Sequence, residues 1–197
     1  MKQNSNINIE YEARAMVNEE QYNNILAHFK DQKGDKKSLV NINTYFDYKD
    51  LFLTEHHMVL RTREIDDKEY ELTLKIKGQN GDTEVNQKLT LNELLKIKED
   101  VQLPEGRILD ILIKAGIDIK RLSLITELKT ERLEIYRNDH TLVIDKNYFN
   151  GKIDYNVEVE STSKTLAISY LNEYFASFGV EYKNGYISKS RRAIYNL

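Results

Sequence analysis

Ile9-Glu10-Tyr11-Glu12-Ala13-Arg14-Ala15 decides how the rest of this chain is read. In an extended strand successive side chains point to opposite faces, so Glu10, Glu12 and Arg14 share one wall while Ile9, Tyr11, Ala13 and Ala15 share the other. The pattern returns near the other end, where Asp154, Asn156, Glu158 and Glu160 alternate with Tyr155, Val157 and Val159. A half-buried strand ordinarily turns its charged face to water. Whether these do depends on what the other segments offer for their apolar faces to pack against.

Outward from the first strand, Tyr22, Ile25, Leu26 and Phe29 recur at helical spacing and predict an amphipathic helix over 18–31, with Asn18 as N-cap and Glu19 and Glu20 in the first turn. Strands are expected over 41–47 and 58–65, the second with Val59, Arg61 and Arg63 on one face. Glu69 to Lys77 alternates without a break, polar at odd and apolar at even positions. Gly78 to Asp82 supplies turn residues before a returning strand over 84–90. Helices are expected over 92–100 and 105–115, broken near Pro104 and ended by Gly116. A long strand from Ser123 to about Arg137 turns at Asn138-Asp139 into a strand over 141–145, and Asn150-Gly151 leads into the strand carrying Glu158 and Glu160. Ala167, Tyr170, Leu171, Tyr174, Phe175 and Phe178 stripe a last helix that Gly179 ends, and 187–195 forms a short strand or helix. Eight strands with a few covering helices point to an α+β fold, either a closed antiparallel barrel or a strongly curved sheet.

Composition narrows the function. At 197 residues with one proline, eight scattered glycines and no low-complexity stretch, the chain reads as one domain over 1–197. The near balance of 29 Lys and Arg against 32 Asp and Glu gives no bulk electrostatic case for nucleic acid or an anionic membrane. Absence of cysteine rules out disulfides, thiolate catalysis and Cys-based metal centres. The N-terminus lacks an apolar signal core, and no stretch approaches the ~20 apolar residues of a membrane span. A cytoplasmic protein, monomer or homodimer, is expected.

Helices with apolar stripes need a surface to pack on, and the apolar strand faces are the available one. The charged faces then point inward, where unpaired ions are costly and call for a charged occupant. Carboxylates suit Mg²⁺ or Mn²⁺, and Arg and Lys suit phosphate oxygens. His56-His57 reads as an exposed loop pair and His28 and His140 as surface positions. The parity of Glu127 and Lys129 sets them off the face of Arg132 unless a bulge intervenes. No glycine spacing matches a P-loop.

These residues resemble the CYTH, or triphosphate tunnel metalloenzyme, superfamily, whose hallmark is Glu-x-Glu-x-Lys on the first strand of an eight-stranded antiparallel tunnel. Glu10, Glu12 and Arg14 match it with Arg for Lys. Tyr45-Phe46-Asp47, Leu60-Arg61-Thr62-Arg63, Leu72-Thr73-Leu74-Lys75, Thr130-Glu131-Arg132, Val143-Ile144-Asp145, Glu158-Val159-Glu160 and Ser188-Lys189-Ser190-Arg191 follow in the family's order. The chain is most similar to the small single-domain proteins of Gram-positive bacteria.

The resemblance implies a closed tunnel with helices outside and metal-dependent hydrolysis of a small-molecule triphosphate, inorganic triphosphate foremost. It implies Glu10, Glu12, Asp145, Glu158 and Glu160 as ligands of Mg²⁺ or Mn²⁺. Arg14, Arg61, Arg63, Lys75, Arg132 and Lys189 become phosphate-binding residues, and Glu10, Glu12, Arg14 and Lys189 carry catalysis. Arg14 preserves the charge of the family lysine but does not readily lose its proton. The alternatives are a CYTH-type adenylate cyclase, a thiamine triphosphatase and a non-catalytic triphosphate or nucleotide sensor.

Overall fold

The computed structural model describes residues 5–78 and 82–197, with side chains described at residue 9 and from residue 11 onward. The middle of the turn expected after Gly78 and the side chain of Glu10 lie outside the described residues. In chain order the elements are β1 (Ser5–Val17), α1 (Glu19–Asp31), β2 (Lys36–Asp47), α2 (Phe52–Glu55), β3 (Met58–Ile65), β4 (Glu69–Ile76), β5 (Asp82–Leu89), α3 (Leu91–Asp100), α4 (Arg107–Lys114), β6 (Ser123–Tyr136), β7 (His140–Phe149), β8 (Lys152–Ser161), α5 (Lys164–Phe175) and α6 (Lys189–Tyr195). Hydrogen bonding orders the strands β1-β5-β4-β3-β2-β6-β7-β8, and the antiparallel pairing of β8 with β1 closes the ring. The α+β class and the eight-stranded antiparallel barrel, one of the two arrangements that the alternation left open and the one that the resemblance implies, are therefore observed. No helix among the described residues is long and apolar enough to cross a membrane.

Contacts divide the described residues into two compact units, 10–40 with 129–188, and 41–128 with 189–197 and 5–9. In the first, Ala13, Ala15, Val17, Leu133, Ile135, Leu142, Ile144, Val157 and Val159 form a buried layer with Tyr22, Ile25 and Phe29 of α1 and Ala167, Leu171 and Phe175 of α5. The apolar strand faces thus carry the helices, as expected. Asn18 caps α1 in a capping box, its side chain accepting from the Gln21 amide at 2.8 Å while Gln21 Oε1 accepts from the Asn18 amide. Asn150 and Gly151 both take positive φ, 48° and 76°, which a two-residue turn of right-handed twist requires.

In the second unit Phe46, Leu60, Leu72, Leu74, Val85 and Leu89 pack against Leu94 and Ile97 of α3 and Ile108 and Leu112 of α4. Thr90 caps α3 with Glu93 in reply. Gly106, at φ 154°, admits α4 against β5, since a Cβ there would lie 2.3 Å from Gln87 Oε1. The one-turn helix α2 was not anticipated. Its amides are collected by buried Asp47, whose carboxylate accepts from Tyr48, Leu53 and Thr54 nitrogens at 2.7–2.9 Å and from Thr54 Oγ1 at 2.7 Å. The ambiguous segment near 187–195 is helical from Lys189.

Two histidines bear on the sequence reading. His56 lies in a turn, donates from Nδ1 to the Phe52 carbonyl at 2.7 Å and stacks on the Phe52 ring. His140, expected at the surface, is buried; its ring stacks on Tyr170 at 4.0 Å and Nδ1 meets Asp139 at 2.8 Å. The cause is the α5 stripe, which covers the β7 position that the sequence leaves looking like a loop edge.

Candidate active site

The polar face of the first unit follows from register. Glu12 stands opposite Glu160 and Arg14 opposite Glu158 across β1 and β8. Asp145 stands opposite Asn156 across β7 and β8, and Arg132 opposite Asp145 across β6 and β7. Directly paired residues share a face, so Glu12, Arg14, Arg132, Asp145, Glu158 and Glu160 lie on one side of four adjacent strands.

Two guanidiniums organise this face. Arg132 grips Asp145 with two parallel bonds, Nε to Oδ1 at 2.8 Å and Nη2 to Oδ2 at 3.0 Å, and its Nη2 reaches Glu158 Oε2 at 3.4 Å. Arg14 donates from Nε to Glu158 Oε1 and from Nη2 to Glu12 Oε1 at 3.1 Å. Asn156 adds amide bonds to Asp145 at 3.3 Å and to Glu158 at 3.2 Å, and is held by Asn147, itself held by Thr130. Asp145 and Glu158 are 0% and 2% exposed, so each depends on these donors. Burial works against the charge on Arg14, but Glu12, Glu158 and Asp145 outweigh it and raise its pKa above the ordinary guanidinium range. For Arg132 burial is likewise outweighed, by Asp145, Glu158 and Glu160.

In the second unit the polar face joins β2, β3, β4 and β5. Arg61 pairs in register with Tyr45 and Thr73, Arg63 with Asn43 and Glu71, and Lys75 with Val59 and Glu84. Arg61 Nη2 lies 3.6 Å from Glu84 Oε1, and Lys75 Nζ lies 3.9 Å from Glu84 Oε2 and 3.5 Å from Asp82. Arg63 meets Glu71 at 3.4 Å and donates from Nε to Asn43 at 3.1 Å. Asn86 donates to Glu84 at 3.1 Å and accepts from Thr73 Oγ1 at 2.8 Å. Burial alone would raise the Glu84 pKa, but Arg61, Lys75 and Arg63 draw it down to about 2.

A stability signature follows from that depression. A folded pKa of about 2 against an ordinary 4.5 means that ionised Glu84 contributes fully above about pH 4.5, and that its contribution is lost as pH falls through about 2. Glu84→Gln is expected to lower unfolding free energy by about 2–3 kcal/mol at pH 6, with the deficit shrinking toward pH 2. Urea melts of both proteins across that range test it, and a pH-independent difference would contradict it.

Of the remaining sequence candidates, Lys189 opens α6, which is fastened near α2 by Arg191 and Tyr195 on Glu55. The parity argument on Lys129 holds, since it pairs with Tyr148 on the face opposite Arg132. Glu127, on β6, receives Lys98 at 3.2 Å. The sequence reading named neither Glu84 nor Asn156 as a site residue. Both sit at the alternation of their strands that places them beside named residues, which is the signal available for them.

The donors suit a hard divalent cation in kind, being carboxylate oxygens from β1, β7 and β8 on one face. Among the described residues no three acidic or histidine side chains converge on a single point. Asp145 and Glu158 instead hold Arg132 and Arg14.

Comparison with known proteins bears on this arrangement. A model of the CYTH domain matches residues 8–186. The chain is 30% identical over 154 residues to YjbK of Bacillus subtilis (strain 168), a protein named as a triphosphatase, covering 78% of this chain and 77% of the relative. A Bacillus halodurans crystal structure described as that of an adenylate cyclase (bh2851) superposes with TM-score 0.83 at 29% identity, covering 94% of this chain and 97% of that one. HpAC1 from Hippeastrum, an adenylyl cyclase by name with a dominant triphosphatase activity, shares the fold with TM-score 0.80 at 16% identity over 95% and 96% of the two chains. The match of the CYTH domain model to residues 8–186, most of its length, makes this chain a member of the CYTH domain family.

Proposed function

We propose that this protein hydrolyses the terminal phosphoanhydride of a triphosphate, inorganic triphosphate foremost, with Mg²⁺ or Mn²⁺, as a single cytoplasmic domain spanning 1–197. The observation that carries the reading is the placement of Arg61, Arg63 and Lys75 on one strand face, which they share with Asn43, Glu71, Thr73, Glu84 and Asn86 as well as with Tyr45 and Val59. Three cations on one face recognise phosphate oxygens. The name of the B. subtilis relative supports the same class.

In this reading Arg61, Arg63 and Lys75 bind and orient the phosphate chain, and neutralise the charge that the bridging oxygen of the departing diphosphate acquires. Arg132 and Arg14 are fixed by buried carboxylates, so their remaining N–H groups can meet phosphate oxygens without reorganisation. Lys189, on α6, adds a phosphate contact. Glu12 and Glu160, with Glu10, would hold the divalent cation together with Asp145 and Glu158, whose oxygens keep a further lone pair each beside their bonds to Arg132 and Arg14; when bound, the cation polarises phosphate oxygens and eases deprotonation of water. Attack of water on the terminal phosphorus breaks its bond to the bridging oxygen, so that the attacked group leaves as phosphate and the rest of the chain, pyrophosphate from inorganic triphosphate, is the leaving group.

Adenylate cyclisation is the second reading, favoured by the description of the B. halodurans structure. It demands a rigidly held ribose, because in-line geometry at the α-phosphorus is worth several kcal/mol. Competition calorimetry separates the two. Affinity is expected to follow phosphate-chain length, with inorganic triphosphate competing at a concentration equal to or below that of ATP. A strong preference for ATP over inorganic triphosphate would favour the cyclase.

A further inference from the structure

We infer that Glu84 is a positioning residue of the cation cluster, a resident carboxylate that holds Arg61 and Lys75 in place and trims their attraction for phosphate so that short-chain product departs. The inference rests on the triphosphate reading of the same site and names what sets its selectivity between substrate and product.

Glu84 is only 4% exposed, yet its two cationic neighbours stand 3.6 and 3.9 Å away. Those separations exceed a direct hydrogen bond, so the carboxylate constrains the cations mainly through charge. Its own orientation comes from elsewhere. Asn86 donates to Oε1 at 3.1 Å and is braced in turn by Thr73 at 2.8 Å. Lys75 with Glu84, and Thr73 with Asn86, are direct cross-strand pairs, so anion and cations are mounted on one rigid lattice. Glu84 therefore stays put when a ligand arrives.

A fixed negative charge beside two cations weakens the binding of every phosphate chain. Inorganic triphosphate has charge and contacts to spare. Pyrophosphate and phosphate have fewer, and are released. Removing one unit charge at this range is worth about tenfold in affinity for a polyanion.

The test is calorimetric binding of inorganic triphosphate and pyrophosphate, without metal and at two salt concentrations, to the parent protein, Glu84→Gln and Glu84→Asp, each checked for native circular dichroism. Glu84→Gln is expected to bind pyrophosphate about tenfold tighter with a steeper loss of affinity in salt. Glu84→Asp, which keeps the charge, is expected to stay within about threefold of the parent. If the parent binds both anions and Glu84→Gln binds them no tighter, or if Glu84→Asp behaves as Gln does, the inference is overturned alone. A parent that binds neither anion overturns the triphosphate reading and this inference with it.

Discussion

Glu160→Gln is expected to cut metal-supported triphosphate turnover by at least about a thousandfold while the protein stays folded. Gln keeps the shape and both heteroatoms of the side chain and removes only its charge. On β8, Glu160 faces Glu12 on one neighbouring strand and Thr141 on the other. If it belongs to the carboxylate set that holds the cation, its loss forfeits several kcal/mol of charge stabilisation at the transferring phosphoryl group, and each 1.4 kcal/mol is a factor of ten. The melting temperature should move by only a few degrees, and upward if repulsion from Glu12 is relieved. Phosphate release with Mg²⁺ and with Mn²⁺, measured beside a thermal melt, checks both halves. A variant retaining most of the parent's activity would remove Glu160 from the metal set.

Arg132→Met is expected to destabilise the fold by about 3 kcal/mol or more, because breaking a buried ion pair from one side leaves an uncompensated charge. Asp145 loses both bonds of its bidentate partner and Glu158 one of two guanidiniums. Asn156 and Arg14 remain as partial compensation, which keeps the expected cost near the lower end of the range. Adding Asp145→Asn to Arg132→Met should recover part of the loss, since the stranded charge is then removed. Urea unfolding of the parent, the two single variants and the double variant gives the coupling directly. A cost below about 1 kcal/mol would class the pair with exposed ion pairs.

Most of the fold was legible because strand alternation reports faces. Glu12 with Arg14, Glu158 with Glu160, and Lys75 all lie on the polar side of their strands, and the residues between them fill the two cores. Local chemistry located the Asn18 cap and the Asn150-Gly151 turn for the same reason, that both act within four residues. Helix α2 was not legible, since a single turn has no periodicity and is held by Asp47, whose role depends on a bend through Leu51 at φ 58°. Glu84 escaped notice because β5 is polar on both sides. Gln87 is buried on the helix-facing side, where it donates to the Glu105 carbonyl, so the alternation that marks β4 is blurred one strand away. Spacing gives the face of a side chain and not its partner, which is why the gripping of Asp145 and Glu158 by Arg132 and Arg14 needed the structure.

The most direct measurement is a product assay on the purified protein. Inorganic triphosphate and ATP are each incubated with Mg²⁺ or Mn²⁺, and phosphate, pyrophosphate and cyclic AMP are scored separately. Hydrolysis of a terminal phosphoanhydride predicts rapid metal-dependent phosphate release from inorganic triphosphate, slower release from ATP and little cyclic AMP. Cyclic AMP as the main product from ATP would contradict it, as would tight triphosphate binding with no product under either metal.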